Sequence, residues 1–185
     1  MRQHLFISLR MTVVLLVITC GIYPAAVWGI GQLAFSHQAN GSLITRNGHV
    51  IGSELIGQNF TSARYFHSRP SAVNFDPTAS GGSNLGPTSR KLAERIAADV
   101  HALGVRNVPA DAVTTSASGV DPHISPANAM SQVARVAKAR GMDENRLRAM
   151  VGQHTEGRFL GIFGEPRVNV ILLNLALDDS HAATR

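Results

Sequence analysis

The stretch Met11–Phe35 reads MTVVLLVITCGIYPAAVWGIGQLAF and contains no charged side chain. A helix needs about 20 predominantly apolar residues to cross a bilayer, and this stretch supplies them. A cleaved signal peptide is the alternative, but its apolar region usually covers only about 7–15 residues, and no small-x-small cleavage site ends this stretch. The sequence therefore predicts one uncleaved transmembrane helix over residues 11–35. Pro24 should kink it unless neighbouring groups satisfy the freed carbonyl.

The charges on either side of this stretch predict its orientation. Arg2 and Arg10 precede it, and the next charged residue along the chain is Arg46. The positive-inside rule then places the N-terminus in the cytoplasm. We expect a cytoplasmic N-terminus over residues 1–10, a transmembrane helix over residues 11–35 and an exported α+β domain over residues 36–185. The chain would then be a single-pass membrane protein with its main domain exported.

Small residues recur every four positions within the span. Gly21, Ala25 and Gly29 lie on one face of a helix. Faces of the small-xxx-small type let another helix approach closely in lipid. Gly and Ala are also common in spans for no specific reason, so composition alone accounts for the pattern equally well. The functional interpretation is a membrane packing face for a partner subunit.

Composition and charge exclude several classes of function. The chain has a formal charge of +5, but Arg2 and Arg10 belong to the anchor, which leaves 15 basic residues against 12 acidic ones. The longest basic run is Arg90-Lys91, and only 5% of residues are aromatic, which argues against nucleic-acid binding. Cys20 is the one cysteine, so disulfides and cysteine zinc sites are excluded. With no histidine pair at helical spacing, we predict no metal site.

The first part of the predicted exported domain contains a hairpin and a long irregular stretch. Asn47-Gly48 stands between two apolar pairs, which predicts a β-hairpin. Residues 55–87 are rich in Gly, Ser, Asn and Pro and predict irregular structure, which at this length is usually functional or an interface. Residues 111–121 predict a loop with a short strand.

Three helices are predicted from capping residues and apolar spacing. Thr88 or Ser89 caps the first and Gly104 ends it, whereas the second begins after Ser125 and ends at Gly141. The third begins after Asp143 and runs to about Val151. The apolar faces expected on the first two helices are Leu92, Ile96, Val100 and Leu103, and Met130, Val133, Ala134 and Ala137.

The last predicted element is a strand. Val168–Leu177 reads VNVILLNLAL, which is nearly continuous in apolar character and follows Pro166. Short apolar runs rich in β-branched residues are typical of buried strands, and proline suits a strand start. The sequence therefore predicts an α+β domain.

The glycine-rich segment Ser80–Pro87 (SGGSNLGP) suggests a phosphate-binding loop but has the wrong spacing. A P-loop requires Lys and then Ser or Thr directly after its last glycine. Here Pro87 follows Gly86, and Lys91 comes too late. The spacing favours a structural loop whose glycines allow close backbone packing. The cofactor-binding candidates within it are Gly81, Gly82, Ser83 and Asn84.

The segment DPHIS places Asp121, His123 and Ser125 close together in sequence. A Ser-His-Asp relay normally brings its residues from separate segments, because neighbours on one extended chain cannot form it. Ser125 is better explained as a helix cap, and no catalytic residue is predicted. We regard Asp121 and His123, together with Arg69, as a candidate interface with a partner.

Six ordered blocks give the chain a specific family resemblance. The blocks are GQNF (57–60), YFHSRPSA (65–72), SGGSNLGP (80–87), TSASGVDPHISPANA (115–129), RVAKARG (135–141) and EPRVNVILLNLALD (165–178). Together with the apolar stretch ahead of them, they resemble the C subunit of the Kdp high-affinity potassium-transporting P-type ATPase of bacteria, up to about Asp178. Phe75-Asp76-Pro77 stands where many relatives have Tyr, which we interpret as loop variation.

The resemblance implies a non-catalytic subunit in a four-part complex of the bacterial cytoplasmic (inner) membrane, with its main domain on the periplasmic side. Its partners would be a potassium-channel-like subunit, a P-type subunit that hydrolyses ATP and a small single-span subunit. The family is described as a catalytic chaperone that raises the ATP affinity of the hydrolysing subunit, so ATP is implied only in complex with that subunit. SGGSNLGP resembles the signature loop of ABC-type ATPases, yet the predicted topology turns it away from cytoplasmic ATP. The alternatives are an unrelated membrane-anchored exported binding or assembly protein and an anchored hydrolase.

Overall fold

The computed structural model describes residues 1–104 and 107–182. Contacts within the chain divide it into two compact units, Met1–Ser53 and Glu54–Arg185. The boundary between the units falls after the predicted hairpin, which groups with the apolar helix. This boundary does not mark the end of the predicted transmembrane helix at residue 35, which stays a prediction from the sequence.

The first unit begins with one helix that runs through the apolar stretch. Its parts are α1 (Arg2–Leu16), a π-helical turn (Val17–Ile22) and α2 (Tyr23–Ala34), and a short α3 (Ser36–Ala39) follows. The combined helix, Arg2–Ala34, is long and apolar enough to cross a membrane, and it is the one such helix in residues 1–104 and 107–182. None of its residues is classed as buried within the chain, as expected of a helix whose surroundings are lipid or other proteins.

The π-helical turn explains how the helix passes Pro24. Proline has no N–H to donate and crowds the carbonyl four residues before it. Directly before Pro24, the N–H of Tyr23 donates to the Ile18 carbonyl oxygen, five residues back instead of four. Such a turn is a recognised place for a helix to bend. The helix thus continues through Pro24 by widening its hydrogen-bonding pattern.

The predicted hairpin is confirmed. Strands β1 (Leu43–Arg46) and β2 (His49–Ser53) pair antiparallel. The two residues of the turn have positive φ, +51° at Asn47 and +79° at Gly48. Positive φ at both residues is required by the type I′ turn, whose twist matches that of two paired strands.

The second unit mixes helices with short strands, as the sequence predicted. Its sheet has three antiparallel strands, with β5 in the centre between β3 and β4. Residues 55–87 contain a single 3₁₀ turn, Pro77–Ala79, and are otherwise irregular. The other elements are α4 (Arg90–Leu103), α5 (Ala110–Val113), β3 (His123–Ile124), α6 (Pro126–Arg140), α7 (Glu144–Gln153), β4 (Thr155–Glu156), β5 (Arg167–Asn169) and α8 (Val170–Ala182).

The predicted helix boundaries are confirmed by their caps. The side chains of Ser89, Ser125 and Asp143 each accept a hydrogen bond from the backbone N–H three residues further on. Gly104 and Gly141 adopt the left-handed conformation that ends a helix. The short strand expected within residues 111–121 is wrong, because that segment starts in helix α5 and contains no strand.

The prediction of a strand over Val168–Leu177 is wrong beyond its first two residues. The chain is extended only in β5, and helix α8 begins at Val170. Asn169 starts the helix, since its Oδ1 accepts from the N–H groups of Ile171 and Leu172 at 3.1 and 3.2 Å. A continuous apolar run fits a fully buried helix as well as a buried strand, so its period cannot separate the two.

Helix α6 forms the centre of the core, with one correction to its predicted face. Val133 and Ala137 are buried as expected, but Ala134 is exposed and Val136 is buried in its place. The face is shifted because α6 packs against both α7 and β5. The core cluster consists of Phe66, Ile124, Ala129, Val133, Val136, Ala137, Leu147, Val151, Val168, Val170, Leu173 and Leu177.

Candidate functional site

Side chains from two helices hold the backbone of the segment Tyr65–Ala72. The Phe66 N–H donates to Oδ1 of Asn174 at 2.8 Å, and Nδ2 of Asn174 donates back to the Phe66 carbonyl at 2.9 Å. Gln132 makes the same two-way contact with His67, at 2.8 and 3.1 Å. The irregular stretch is therefore a shaped element, since α6 and α8 satisfy its backbone groups as a neighbouring strand would.

Two arginines of α6 extend this arrangement. Nη1 of Arg135 donates to the carbonyls of Ala63 and Tyr65 at 2.8 and 3.0 Å. Nε of Arg140 donates to the Arg64 carbonyl at 2.6 Å, and its Nη2 donates to Oδ1 of Asp178 at 2.8 Å. The Arg140 side chain is only 1% exposed. A buried cation needs this full set of partners, because desolvation of an unpaired charge is costly.

The held segment forms one wall of a cleft of about 770 Å³. Residues of α6 line another wall, and α5 contributes Ala112. Among the lining residues in the described part of the chain, Arg69 and Arg135 carry charge and no carboxylate is present. The volume falls within the ~300–1,000 Å³ of typical ligand pockets. Oγ of Ser68 and Nε of Arg69 are buried and make no hydrogen bond within the described residues.

The three residues predicted as a candidate interface lie together. Nη1 of Arg69 is 3.5 Å from Oδ2 of Asp121, and Nδ1 of His123 is 3.5 Å from Oδ1 of the same carboxylate. Between 25% and 28% of each side chain is exposed. Burial by itself would raise the pKa of Asp121, but the hydrogen bonds from His123 and the charges of His123 and Arg69 outweigh burial and lower this pKa. Asp121 is therefore a stable anion with two basic neighbours.

His67 also lines the cleft and is partly buried. Burial lowers the pKa of His67 below 6.5, the nearby Arg135 lowers it further, and a hydrogen bond to the Ser62 carbonyl partly offsets both. Nε2 of His67 lies 3.1 Å from that carbonyl oxygen. The neutral ring is thus the favoured form in the folded protein.

The glycine-rich loop packs against the segment Thr115–Gly119. The Gly81 N–H donates to the Ser118 carbonyl at 2.9 Å, and a side chain at Gly82 would come within 3.1 Å of the Ala117 carbonyl oxygen. Ser83 accepts from the Thr115 hydroxyl at 3.2 Å, and Asn84 adopts a positive φ of +52°. Close backbone packing is therefore what Gly82 provides here.

The Ser125 hydroxyl is committed to the start of α6. It donates to Oδ1 of Asp111 at 2.8 Å and accepts from the Asn128 N–H at 3.0 Å. Oδ2 of Asp111 accepts from Nδ2 of Asn128 at 3.1 Å. The predicted role of Ser125 as a helix cap is confirmed. Its hydroxyl proton points to Asp111, so the arrangement does not make Ser125 a nucleophile activated by His123.

In the first unit, the predicted packing face is open. A Cβ added at Gly21 or Gly29 would meet no atom within 4 Å. Gly21 and Ala25 border a shallow apolar groove of about 490 Å³ along the helix. Position 21 therefore has room for a Cβ within the first unit.

Comparison with known proteins identifies the family. The family model described as "K+-transporting ATPase, c chain" matches residues 5–179. The chain belongs to the KdpC family. A relative from Gemmatimonas aurantiaca is 55% identical over 100% of this chain and 96% of its own length, and one from Koribacter versatilis is 53% identical over 96% and 95%. A third, from Gloeobacter violaceus, is 52% identical over 95% and 96%. Each is named a potassium-transporting ATPase KdpC subunit.

Membership of the KdpC family confirms the resemblance stated from the six sequence blocks. It also removes the alternative of an anchored binding protein unrelated to pumps. The match includes the apolar helix as well as the second unit, so both belong to the family's common plan.

Sequence reasoning missed the side chains that hold the irregular segment beside the cleft. Gln132, Arg135 and Arg140 are ordinary polar residues of an amphipathic helix in the sequence, and only their contacts reveal their role. Asn174 did carry a signal, because a single amide inside the apolar run VNVILLNLAL implies a specific buried partner. Its partner is the Phe66 backbone, 108 residues earlier in the chain.

Proposed function

We propose that the chain is a non-catalytic subunit of an ATP-driven, high-affinity potassium uptake complex. In this role it helps the complex assemble and raises the ATP affinity of the ATP-hydrolysing subunit. The observation that carries the proposal is the family match over residues 5–179, together with relatives named potassium-transporting ATPase KdpC subunit at 52–55% identity. Its partners are a channel-like subunit, the hydrolysing subunit and a small single-span subunit.

The proposed topology puts the N-terminus in the cytoplasm and residues 36–185 outside it. It is supported by Arg2 and Arg10, which lie in the first part of the helix Arg2–Ala34, ahead of its uncharged stretch. This helix has the length and composition to span a bilayer. A reporter fused after Asp178 tests this orientation. It should be active only if it works outside the cytoplasm, and activity of a cytoplasm-only reporter would reverse the topology.

The proposed effect on ATP is transmitted through the complex. Supporting this, the Gly81 N–H is already bonded to the Ser118 carbonyl and Gly82 packs on Ala117, and no Lys follows the last glycine of the loop at phosphate-loop spacing. The loop is also absent from the residues that line the cleft. If this chain raises the ATP affinity of the hydrolysing subunit by some factor, ATP must raise the affinity of the complex for this chain by the same factor.

The main experiment acts on the span. The complex carrying Gly21→Leu and Ala25→Leu should retain less of this chain in detergent and should bind ATP more weakly, because bulk on that face separates the helices. Val27→Leu adds bulk elsewhere on the same exposed helix and is the matched control. Retention and ATP affinity equal to those of the parent complex would contradict the assembly role.

Calorimetry of the isolated full chain with Mg-ATP separates direct from transmitted action. We expect weak binding or none, since a nucleotide needs converging cations and donors. Saturable binding that is lost in Ser83→Ala would show direct contact by the glycine-rich loop and would overturn the transmitted mechanism.

A further inference from the structure

A short apolar turn projects from the second unit. Phe159, Leu160, Ile162 and Phe163 are between 63% and 74% exposed, more than any other large hydrophobic residue described in that unit. We call Phe159–Phe163 the apolar tip. Side chains of this size grouped on a surface mark a site that another molecule covers.

The apolar tip has a fixed shape. The N–H of Phe159 donates to the Phe163 carbonyl at 2.8 Å, and the N–H of Phe163 donates back to the Phe159 carbonyl at 2.9 Å. Leu160 and Gly161 complete the turn with φ values of +52° and +74°. Leucine is strained at positive φ, and such strain persists where the surrounding structure requires one conformation. The turn is thus formed before any partner arrives, with its main hydrogen bonds made internally.

The base of the apolar tip is electrically balanced. Arg158 pairs with Glu165 at 2.8 Å, and Arg167 pairs with Glu156 at 2.9 Å. Elements that rest on a lipid surface typically combine Trp, Phe or Leu on their apolar side with Lys or Arg that are free to meet the headgroups. The apolar tip supplies Phe and Leu, but its two neighbouring arginines are each paired with a glutamate. A preformed, uncharged knob fits an apolar groove in a protein better than a lipid surface.

We propose that the apolar tip docks into an uncharged hydrophobic groove on another subunit of the same transport complex. This inference rests on the assembly role proposed above and assigns part of that role to a second contact besides the span. Two contacts carried by one chain reinforce each other, because the first raises the effective concentration of the second. Exposed aromatic and aliphatic side chains that become fully buried are the usual energetic centre of such a contact.

The test measures retention of the chain in the detergent-solubilised complex. The variant Leu160→Asn with Ile162→Ser replaces the two most exposed of the four apolar side chains but keeps the turn, since Asn tolerates the left-handed conformation. We expect its apparent affinity for the complex to fall by about thirtyfold, the loss typical of a buried anchor. The matched control is Val50→Ser, which removes a 60% exposed valine from β2. Unchanged retention of the double variant, or an equal loss in the control, overturns the proposal.

A cross-linking experiment identifies the occupant even if the double variant folds poorly. Cys20 is the only cysteine, so Cys20→Ser with Ile162→Cys places one photoreactive label on the apolar tip. An adduct with another subunit of the complex supports the proposal. Adducts only with lipid, or only with a second copy of this chain, overturn it.

The two experiments also separate this inference from the proposed function. If the parent chain does not purify with the complex, or does not alter its ATP affinity, the proposed function fails. If the parent chain and the span variants behave as expected while the tip variants match the parent, only the docking of the apolar tip fails.

Discussion

Helices α4 and α6 have nearly the same capping residues and length, but they lie in different environments. Both begin at a serine cap and end at a left-handed glycine, with lengths of 14 and 15 residues. α6 places Ala129, Val133 and Val136 in the core at 0% exposure. α4 has no buried residue at all, and its Val100 and Leu103 are 38% and 47% exposed. Apolar spacing thus predicts a helix and a face, but it does not say whether anything covers the face.

The difference lies in the neighbours that each helix meets. α6 packs against α7 and β5, whereas α4 has its main contacts with the four-residue helix α5. The same contrast holds for polar groups. Arg140 of α6 bonds the Arg64 carbonyl and Asp178, while Nε and Nη2 of Arg95 in α4 are buried with no hydrogen bond among the described residues. α6 is therefore stabilised by tertiary contacts and α4 mainly by its own caps and backbone bonds.

The largest effect expected from this comparison is at Arg140. Arg140→Ala removes the donor to Oδ1 of Asp178 and to the Arg64 carbonyl, although the Tyr65 hydroxyl still donates to Oδ2 of Asp178. We expect the free energy of unfolding to fall by about 3 kcal/mol, toward the low end for buried pairs because Asp178 is one-third exposed and keeps this second donor. Arg95→Ala on α4 removes the same side chain, but its buried Nε and Nη2 have no hydrogen bond to lose and its ion pair with Asp99 is 4.0 Å long. We therefore expect the free energy of unfolding to change by less than about 0.5 kcal/mol. Urea unfolding of the full chain in detergent, followed by circular dichroism, measures both. Equal losses would show that α4 is as firmly integrated as α6.

A smaller effect is expected from deleting methyl groups. Val133→Ala opens a cavity at a site with 0% exposure and should reduce the free energy of unfolding by about 2 kcal/mol. Val100→Ala makes the identical change on α4, where the lost burial is small and alanine favours the helix, so we expect a change within about 0.5 kcal/mol of zero. The same urea titration measures the free energy of unfolding of both variants. A marked loss for Val100→Ala would mean that a partner already covers α4 in the purified protein.

The smallest expected effect is a pH dependence of the free energy of unfolding, and it comes from the contact between α6 and the segment Tyr65–Ala72. Since the folded protein holds the pKa of His67 below its ordinary value, the unfolded chain takes up this proton first as the pH falls. The contribution of His67 to the free energy of unfolding is present above about pH 6.5 and is lost as the pH falls from there through the lower, folded pKa.

His67→Gln keeps a donor for the Ser62 carbonyl and removes the titration. Its unfolding free energy should therefore decline less than that of the parent below about pH 6.5. Identical slopes for parent and variant would show that His67 does not carry this dependence. Arg135 is the neighbour whose charge also disfavours the protonated ring.

Part of the candidate site could be anticipated from the sequence. Arg69, Asp121 and His123 were predicted as one interface, and the structure brings all three together although 52 positions separate Arg69 from Asp121. The glycine-rich loop was predicted to serve close packing, and Gly82 does so against Ala117. The side chains that hold Tyr65–Ala72 could not be predicted, because their partners are backbone groups far away in the chain.

Local chemistry is what the sequence determined by itself. The apolar helix, the Asn47-Gly48 hairpin and the helix caps at Ser89, Ser125 and Asp143 depend on neighbouring residues, whose preferences act in any context. Tertiary structure alone decided that residues 170–182 form a helix instead of a strand, that α6 is covered and α4 is not, and that Asn174 pairs with Phe66. Burial and buried hydrogen bonds depend on which distant segments meet, and one-dimensional periodicity does not contain that information.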